Sequence, residues 1–305
     1  MTRSNVWEGA RKSGGWNDGY VEWQEDNIVY ISVVFSWHMQ KAYQRAIFWK
    51  SQGFQVIVGG PAVEYRPEFL ANVATVNNNI PTLFRHNPNA TFTTRGCIRK
   101  CNFCIVPQIE GKFRELDAWE PKSIICDNNF LACSDSHFNK VIDSLKPLQD
   151  VDFNQGLDAR LLTKERAQRL IELNLRCLRL AWDTRSYEGA FMRAFQILRD
   201  IGFPASKIWV YALVGFRDTP EDTFNRLETI ASLGALPFPM RYQPLDTPRK
   251  NSFVDKGWRD AEIKKMTRYW MHQWLYRTIP WDEYAYPHTT CAQSLQGQLE
   301  LISCS

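Results

Sequence analysis

Residues 93–107 read TTRGCIRKCNFCIVP and hold three of the eight cysteines, Cys97, Cys101 and Cys104, in the spacing C-x3-C-x2-C. Thiolates are soft ligands that favour iron–sulfur clusters or zinc. Three of them on one short loop can hold three irons of a [4Fe–4S] cluster, and the fourth iron is then left for a ligand that is not a cysteine. This segment therefore predicts an iron–sulfur cluster with one open coordination site.

Zinc is the main alternative for the cysteine segment. Zinc sites more often use paired C-x2-C units, and no second pair follows here. Cys126 or Cys133 could supply a fourth ligand, to zinc or to a fully ligated electron-transfer cluster, and either could instead be a buried core residue. The spacing favours the open cluster over these interpretations.

The strands and helices predicted around this segment alternate regularly. Six strand–helix steps of about 25–30 residues each favour a parallel barrel or partial barrel, with chemistry at the carboxyl ends of the strands. The predicted strands are Thr91–Thr94, Ser123–Ile125, Val151–Asn154, Cys177–Trp182, Ile208–Val214 and Pro239–Gln243.

The N-terminal part predicts a smaller unit. A strand at Asn27–Phe35, a helix at Met39–Gln52 and a strand at Gln55–Val58 form one βαβ unit of Rossmann-like type. We interpret residues 1–27 as an irregular arm and residues 62–90 as a connector. One amphipathic helix is predicted over Asp260–Tyr276. The predicted domains are 1–88 (arm and βαβ unit), 89–248 (partial (β/α)6 barrel) and 249–305 (helical extension and tail).

Composition sets limits on the class of protein. The chain has 305 residues with 44% hydrophobic and 23% charged residues, which excludes global disorder. The net charge of +4 is too mild to indicate nucleic-acid binding by itself. We find neither an apolar run long enough for a membrane span nor a secretory signal. We therefore expect a cytoplasmic protein with reduced cysteines and no membrane partner.

The cysteine motif on the loop after the first barrel strand, with Phe103 before its last cysteine, resembles the radical S-adenosylmethionine (radical SAM) superfamily. The flanking T-T-R-G-C and C-I-V-P resemble the branch with an N-terminal cobalamin-binding domain, and they also resemble the methylthiotransferases. The resemblance covers roughly residues 27–245. It implies that the three cysteines ligate a [4Fe–4S] cluster whose free iron binds SAM. Reduction of the cluster by a flavodoxin- or ferredoxin-type protein then yields a 5′-deoxyadenosyl radical that abstracts hydrogen from substrate.

The resemblance also implies which residues contact SAM. Asp127, Asn128 and Asn129, after the second strand, match the position that recognises the methionine ammonium. Asp183 matches the position for the ribose hydroxyls, and Gly215 matches a position beside the adenine. Gln155 and Gly156 stand where many relatives have an arginine. No catalytic acid or base stands out. The implied cofactor-binding residues are Phe103, Asp127, Asn128, Asn129, Gln155, Asp183, Gly215 and Tyr242.

Two features limit the resemblance. The βαβ unit is too short for a full cobalamin-binding domain, and the family signature Asp-x-His-x-x-Gly is missing, so we do not expect cobalamin. Residues 1–96 contain no cysteine, which argues against a methylthiotransferase with two clusters.

Basic and aromatic residues of the C-terminal helix, such as Trp258, Trp270 and Trp274, could grip phosphates and stack on bases, or could simply pack the helix on the barrel. The substrate is not specified by the sequence, and nucleic acid stays open as a partner. The alternatives to an unassigned radical SAM enzyme are a non-catalytic nucleic-acid-binding protein stabilised by zinc or an Fe–S cluster, and a tRNA-modifying radical SAM enzyme.

Overall fold

The computed structural model of the protein describes residues 15–285, which form a mixed α/β structure with several sheets. The strands are β1 (Tyr20–Glu25), β2 (Ile28–Val33), β3 (Gln55–Gly59), β4 (Thr75–Val76), β5 (Ala90–Thr91), β6 (Thr94–Arg95), β7 (Arg114–Glu115), β8 (Ile124–Ile125), β9 (Asp152–Phe153), β10 (Leu178–Ala181), β11 (Ile208–Val214) and β12 (Leu236–Arg241). The helices are α1 (Met39–Ser51), α2 (Pro61–Tyr65), α3 (Leu83–His86), α4 (Val106–Ile109), α5 (Asp135–Leu145), α6 (Lys164–Leu170), α7 (Glu188–Asp200), α8 (Pro220–Ser232), α9 (Asp260–Met271) and α10 (Gln273–Thr278). Within residues 15–285, no helix has both the length and the apolar character that crossing a membrane requires.

The first sheet contains β1, β2, β3 and β4 in sequence order. The strand β1 is antiparallel to β2, and the pairings of β2 with β3 and of β3 with β4 are parallel. The helix α1 connects β2 to β3 and buries Ala42 and Ala46, whose small side chains allow close packing on the sheet. The predicted βαβ unit is therefore confirmed, and its buried side chains form a cluster of their own.

The prediction of an irregular arm over residues 1–27 is wrong for β1, which pairs with β2 along its full length. Asp26 and Asn27 connect the two strands, and Asp26 has a φ of +51°. Two-residue hairpin turns need this left-handed conformation, and aspartate tolerates it better than most residues. The connector predicted at 62–90 is also wrong in part, since it contains α3 and the edge strand β4.

Two three-stranded parallel sheets follow, in the orders β5–β8–β9 and β10–β11–β12. Two isolated parallel bridges, Val151–Leu175 and Leu157–Leu180, link the regions of β9 and β10. Strands lie at or beside all six predicted places, with helices α5, α6, α7 and α8 between them. The first predicted strand, Thr91–Thr94, is wrong as one element, because β5 and β6 divide it and belong to different sheets, and β12 begins three residues before the predicted Pro239. Over the described residues these sheets do not close into a barrel.

The strand β11 shows how these sheets are packed. Its residues alternate between fully and partly buried, and Ile208, Val210 and Val214 belong to the large core cluster. The alternate residues Trp209 and Tyr211 lie on the other face, as the two-residue period of a strand requires. Helices cover the first face, so a ligand can approach these sheets at the carboxyl ends of the strands.

The single C-terminal helix predicted over Asp260–Tyr276 is wrong, because the structure has α9 and α10 with a break at His272. The His272 ring bonds the Arg268 carbonyl through Nδ1 at 2.8 Å, and a continuous helix would use that carbonyl for the His272 N–H. Trp258 and Trp270 are buried, which confirms that they pack against the protein. Trp274 differs from them, because 61% of its surface is exposed to solvent.

Candidate functional site

The three cysteines lie on the loop between β6 and α4, and each is partly exposed. The loop turns at Cys101, whose carbonyl accepts a bond from the Cys104 N–H at 3.0 Å. Gly96 precedes the first cysteine with a φ of +75°, and a Cβ there would lie 2.4 Å from the Lys112 carbonyl oxygen. Only glycine fits this close approach, so the backbone at the start of the loop depends on it.

The three thiols are close enough to interact electrostatically. Burial raises the pKa of both Cys101 and Cys104, and negative charge on the neighbouring cysteines raises each pKa further. The guanidinium of Arg160 opposes this shift at Cys101. Since a metal ligand must be a thiolate, positive charge that favours ionisation also favours metal binding.

Cys97 receives two hydrogen bonds through its sulfur. The backbone N–H of Arg99 lies 3.3 Å from Cys97 Sγ, and Asn129 Nδ2 lies 3.6 Å from it. Asn129 comes from the loop after β8 and is 3% exposed. Its Oδ1 atom is buried and has no hydrogen-bond partner. An unpaired acceptor of this kind is costly unless a donor outside the protein fills the position.

Glu110 holds the start of the cysteine loop. Its carboxylate accepts bonds from Gly96 N at 2.7 Å and from Asn128 Nδ2 at 2.8 Å, and it pairs with Arg95 at 3.1 Å. The Glu110 side chain is only 8% exposed. The amide nitrogen of Asn128 is therefore engaged with a carboxylate of the protein.

Asp158 holds the middle of the loop. Its carboxylate accepts from Arg99 Nε at 3.0 Å, from Arg160 Nε at 2.6 Å and from Asn129 Nδ2 at 3.2 Å. Burial alone would raise the pKa of Asp158, but the hydrogen bonds from Arg160 and Arg99 outweigh it and lower the pKa. Asp158 is therefore a buried carboxylate anion beside the cysteines.

The carboxylate of Asp127 is hydrogen-bonded to residues of the protein itself. It is 3% exposed, and its carboxylate accepts bonds from the backbone N–H of Thr93, at 2.7 Å, and from the Thr93 hydroxyl. Burial raises its pKa, and the bonds from Thr93 and Thr94 oppose the rise. Asp127 thereby ties the end of β8 to the strand that leads into the cysteine loop.

Asp183 follows β10 and approaches the cysteines from the other sheet. Its charge acts on both Cys101 and Cys104. Burial raises the pKa of Asp183 to about 6, although Arg226 and Arg160 lower it. A carboxyl group in this state can accept or donate a hydrogen bond near neutral pH.

Aromatic rings join the cysteine loop to the ends of β11 and β12. The rings of Phe103 and Phe216 are 5.8 Å apart in an edge-on arrangement, and those of Phe216 and Tyr242 are 4.4 Å apart. The structure thus brings Phe103 and Tyr242, which the sequence singled out, to one aromatic cluster. Phe216, which follows the predicted Gly215 in sequence, links the two rings.

Two other predicted cofactor residues have different surroundings. A Cβ added at Gly215 would lie 3.1 Å from Ile263 Cδ1, so the close approach that this glycine permits is to helix α9. Gln155, after β9, is exposed. Its neighbour Gly156 is buried against the ring of Tyr211.

The buried cysteines of the described residues differ from the loop cysteines. Burial raises the pKa of Cys126 and of Cys133 to about 12, and that of Cys177 to about 11. In residues 15–285, no three side chains of His, Cys, Asp or Glu converge as ligands for a single metal ion. Cys291 and Cys304 lie outside the described residues.

Three residues of the site escaped the sequence analysis: Glu110, Asp158 and Arg160. Asp158 and Arg160 follow β9, in the segment that begins with Gln155 and Gly156. An acidic and a basic residue two apart after a parallel strand are a usable signal, since ligands bind at that edge of a sheet. Glu110 carries no such signal, because its partners are remote in sequence.

A cavity of about 110 Å³ lies away from the cysteines, between the first sheet and the segment after β12. Its lining includes Ser36, Met39, Arg66 and Asp246. Beside this cavity, the Ser36 hydroxyl donates to the Thr247 carbonyl at 2.8 Å. This bond joins the segment before α1 to the segment after β12.

Comparison with known proteins adds no relative: no protein-family model matches the chain, and no curated protein matches it significantly.

Proposed function

We propose that the protein is a radical SAM enzyme that holds a [4Fe–4S] cluster on Cys97, Cys101 and Cys104. The observation that carries this proposal is the combination of three partly exposed thiols with an unpaired buried acceptor beside them. The thiols supply three ligands from one loop. Asn129 Oδ1, on the amide that contacts Cys97, is suited to receive a donor that the protein itself does not supply.

The proposal includes a partial (β/α)6 barrel as the scaffold. Six parallel strands alternate with helices, and bridges link the two parallel sheets in the region of β9 and β10. The loops after β8, β9 and β10 bring Asn129, Asp158 and Asp183 toward the cysteines. Convergence of several strand ends on one place is typical of active sites on such scaffolds.

Bound at these cysteines, the cluster and SAM would supply reductive cleavage of the sulfonium and a 5′-deoxyadenosyl radical. The residue types beside the cysteine loop suit these groups, and the three thiols would have to converge when the cluster binds, since within residues 15–285 they do not form a converged ligand set. Asn129 Oδ1 would accept from the methionine ammonium, and the Arg160 guanidinium would balance negative charge beside Cys101. Asp183 would accept from a hydroxyl, and its pKa of about 6 leaves it largely ionised at pH 7.

The aromatic cluster has a role that needs no charge. Phe103, Phe216 and Tyr242 form a connected group of rings beside the cysteine loop. A planar base stacks favourably on such rings, and the rings exclude water from the reaction site. We propose that they hold the adenine and shield the radical from solvent.

Anaerobic reconstitution of the full chain tests this function. We expect about four irons and about four sulfides per chain, as for one [4Fe–4S] cluster, and 5′-deoxyadenosine after reduction in the presence of SAM. Cys101→Ala should abolish both results. The matched control is Cys177→Ala, which removes a buried thiol remote from the loop and should retain both.

Two outcomes would contradict the proposal. One is 5′-deoxyadenosine formation that survives in Cys101→Ala. The other is a wild-type protein that binds stoichiometric zinc and assembles no iron–sulfur cluster, which would favour the metal-stabilised binding protein instead.

A further inference from the structure

The two adjacent asparagines after β8 have opposite surroundings. Asn128 gives its amide nitrogen to Glu110 at 2.8 Å and has no contact with a cysteine among its described bonds. Asn129 gives its amide nitrogen to Cys97 Sγ at 3.6 Å and to Asp158 at 3.2 Å. Among the described hydrogen bonds, the Asn129 amide contacts a cysteine sulfur and the Asn128 amide does not.

The orientation of the Asn129 amide follows from Asp158. With the amide reversed, Oδ1 would face a carboxylate oxygen of Asp158, and two acceptors would repel each other. The hydrogen bonds from Arg99 and Arg160 keep Asp158 ionised and in place. The N–H groups of Asn129 are therefore held toward Asp158 and the sulfur of Cys97.

We infer that Asn129 is a positioning residue that sets the reduction potential of the cluster through an N–H···S bond to Cys97. This inference rests on the proposed function. One-electron reduction adds negative charge that spreads onto the thiolate sulfurs, and a donor at sulfur stabilises the reduced form more than the oxidised form. Hydrogen bonds to the sulfurs are among the factors that set such potentials. The bond therefore makes the cluster easier to reduce.

The same amide connects the ligand position to the cluster. Its Oδ1 is the unpaired buried acceptor of the site, and its Nδ2 is the donor to Cys97. A cation bound at Oδ1 polarises the amide and strengthens its N–H groups as donors, because hydrogen bonds in a chain reinforce each other. Occupancy of the ligand position is therefore expected to raise the potential through Asn129.

The test is a redox titration of the reconstituted full chain, followed by electron paramagnetic resonance, with and without SAM. Asn129→Leu removes the donor at similar size, and Asn129→Ser removes it without added bulk and serves if the leucine variant assembles no cluster. Both should have a more negative midpoint potential than the wild type, and a smaller change when SAM is added.

Asn174→Leu and Asn174→Ser are the controls, since they alter an exposed asparagine amide whose described side-chain bond is to Gln149. Their midpoint potentials should stay near the wild-type value. Equal shifts at positions 174 and 129, or no shift at position 129 in protein with a full cluster, would overturn the inference while the proposed function stands. A wild-type protein that assembles no cluster would overturn both.

Discussion

One buried polar side chain lies beside the first sheet and another beside the cysteine loop, and the two differ in how their atoms are paired. His86, at the end of α3, bonds Ser32 Oγ of β2 through Nε2 and Asn17 Oδ1 through Nδ1, each at 2.9 Å. At the cysteine loop, Asn129 is as deeply buried, yet its Oδ1 has no partner. Both nitrogens of the His86 ring are paired within the protein, whereas Asn129 keeps one unpaired acceptor.

This difference indicates where the chain is built for stability and where it is built to bind. Both ring nitrogens of His86 have partners, and burial lowers its pKa to about 4, so the neutral ring is a structural element. Burial instead raises the pKa of the Cys101 and Cys104 thiols, and Arg160 opposes this shift at Cys101. Energetically costly groups that lie together in this way are typical of functional sites.

The largest expected effect comes from the start of the cysteine loop. Gly96→Ala places a Cβ against the Lys112 carbonyl, so the loop must move and cluster assembly should be lost. Gly111→Ala is the matched control, because Gly111 also has a positive φ, +71°, but has no atom within 4 Å of the added Cβ. It should cost about 1 kcal/mol of stability. Iron content and chemical unfolding measure both results, and equal iron loss in the two variants would contradict the role of Gly96.

The pH dependence of stability is expected to depend on His86, beside the first sheet. The folded protein holds His86 at a pKa of about 4, below its ordinary value of 6.5, so between these values the unfolded chain binds the extra proton. Stability should therefore fall as the pH is lowered from about 6.5 to about 4, by up to about 3 kcal/mol from this residue.

Unfolding by denaturant at a series of pH values measures this effect. His86→Gln should be less stable than the wild type at neutral pH and lose less stability on acidification. If wild type and variant respond to acid in parallel, His86 is not the group responsible.

The smallest expected effect tests whether the first sheet and the site are independent. Arg45 pairs with Glu22 through Nε at 3.0 and 3.1 Å, and the Arg45 side chain is 33% exposed. Arg45→Met leaves the Glu22 carboxylate, whose side chain is only 11% exposed, without its cationic partner and should cost about 1–3 kcal/mol of stability, and iron content should not change. Lys122→Met, beside the 76% exposed Glu120, is the control and should have almost no effect on stability. A loss of iron in Arg45→Met would show that the two regions are coupled.

Local patterns were sufficient for much of the fold. The strand β11 has the predicted bounds, Ile208–Val214, because its apolar run is continuous and glycine follows it. The strand β1 was missed because its last residues are polar and exposed, and its pairing depends on the turn at Asp26. The break at His272 was missed because a side-chain bond to a backbone carbonyl, and no helix-breaking residue, produces it.

The sequence by itself determined the spacing of the three cysteines and the order of strands and helices, because motif spacing and periodicity are local properties. Only the tertiary structure decided which side chains surround the cysteines. Asn129 is 32 residues from Cys97, and Asp158 is 59 residues from Arg99. Hydrogen bonds and charge interactions act over a few ångströms, so groups this far apart in sequence interact only after the chain has folded.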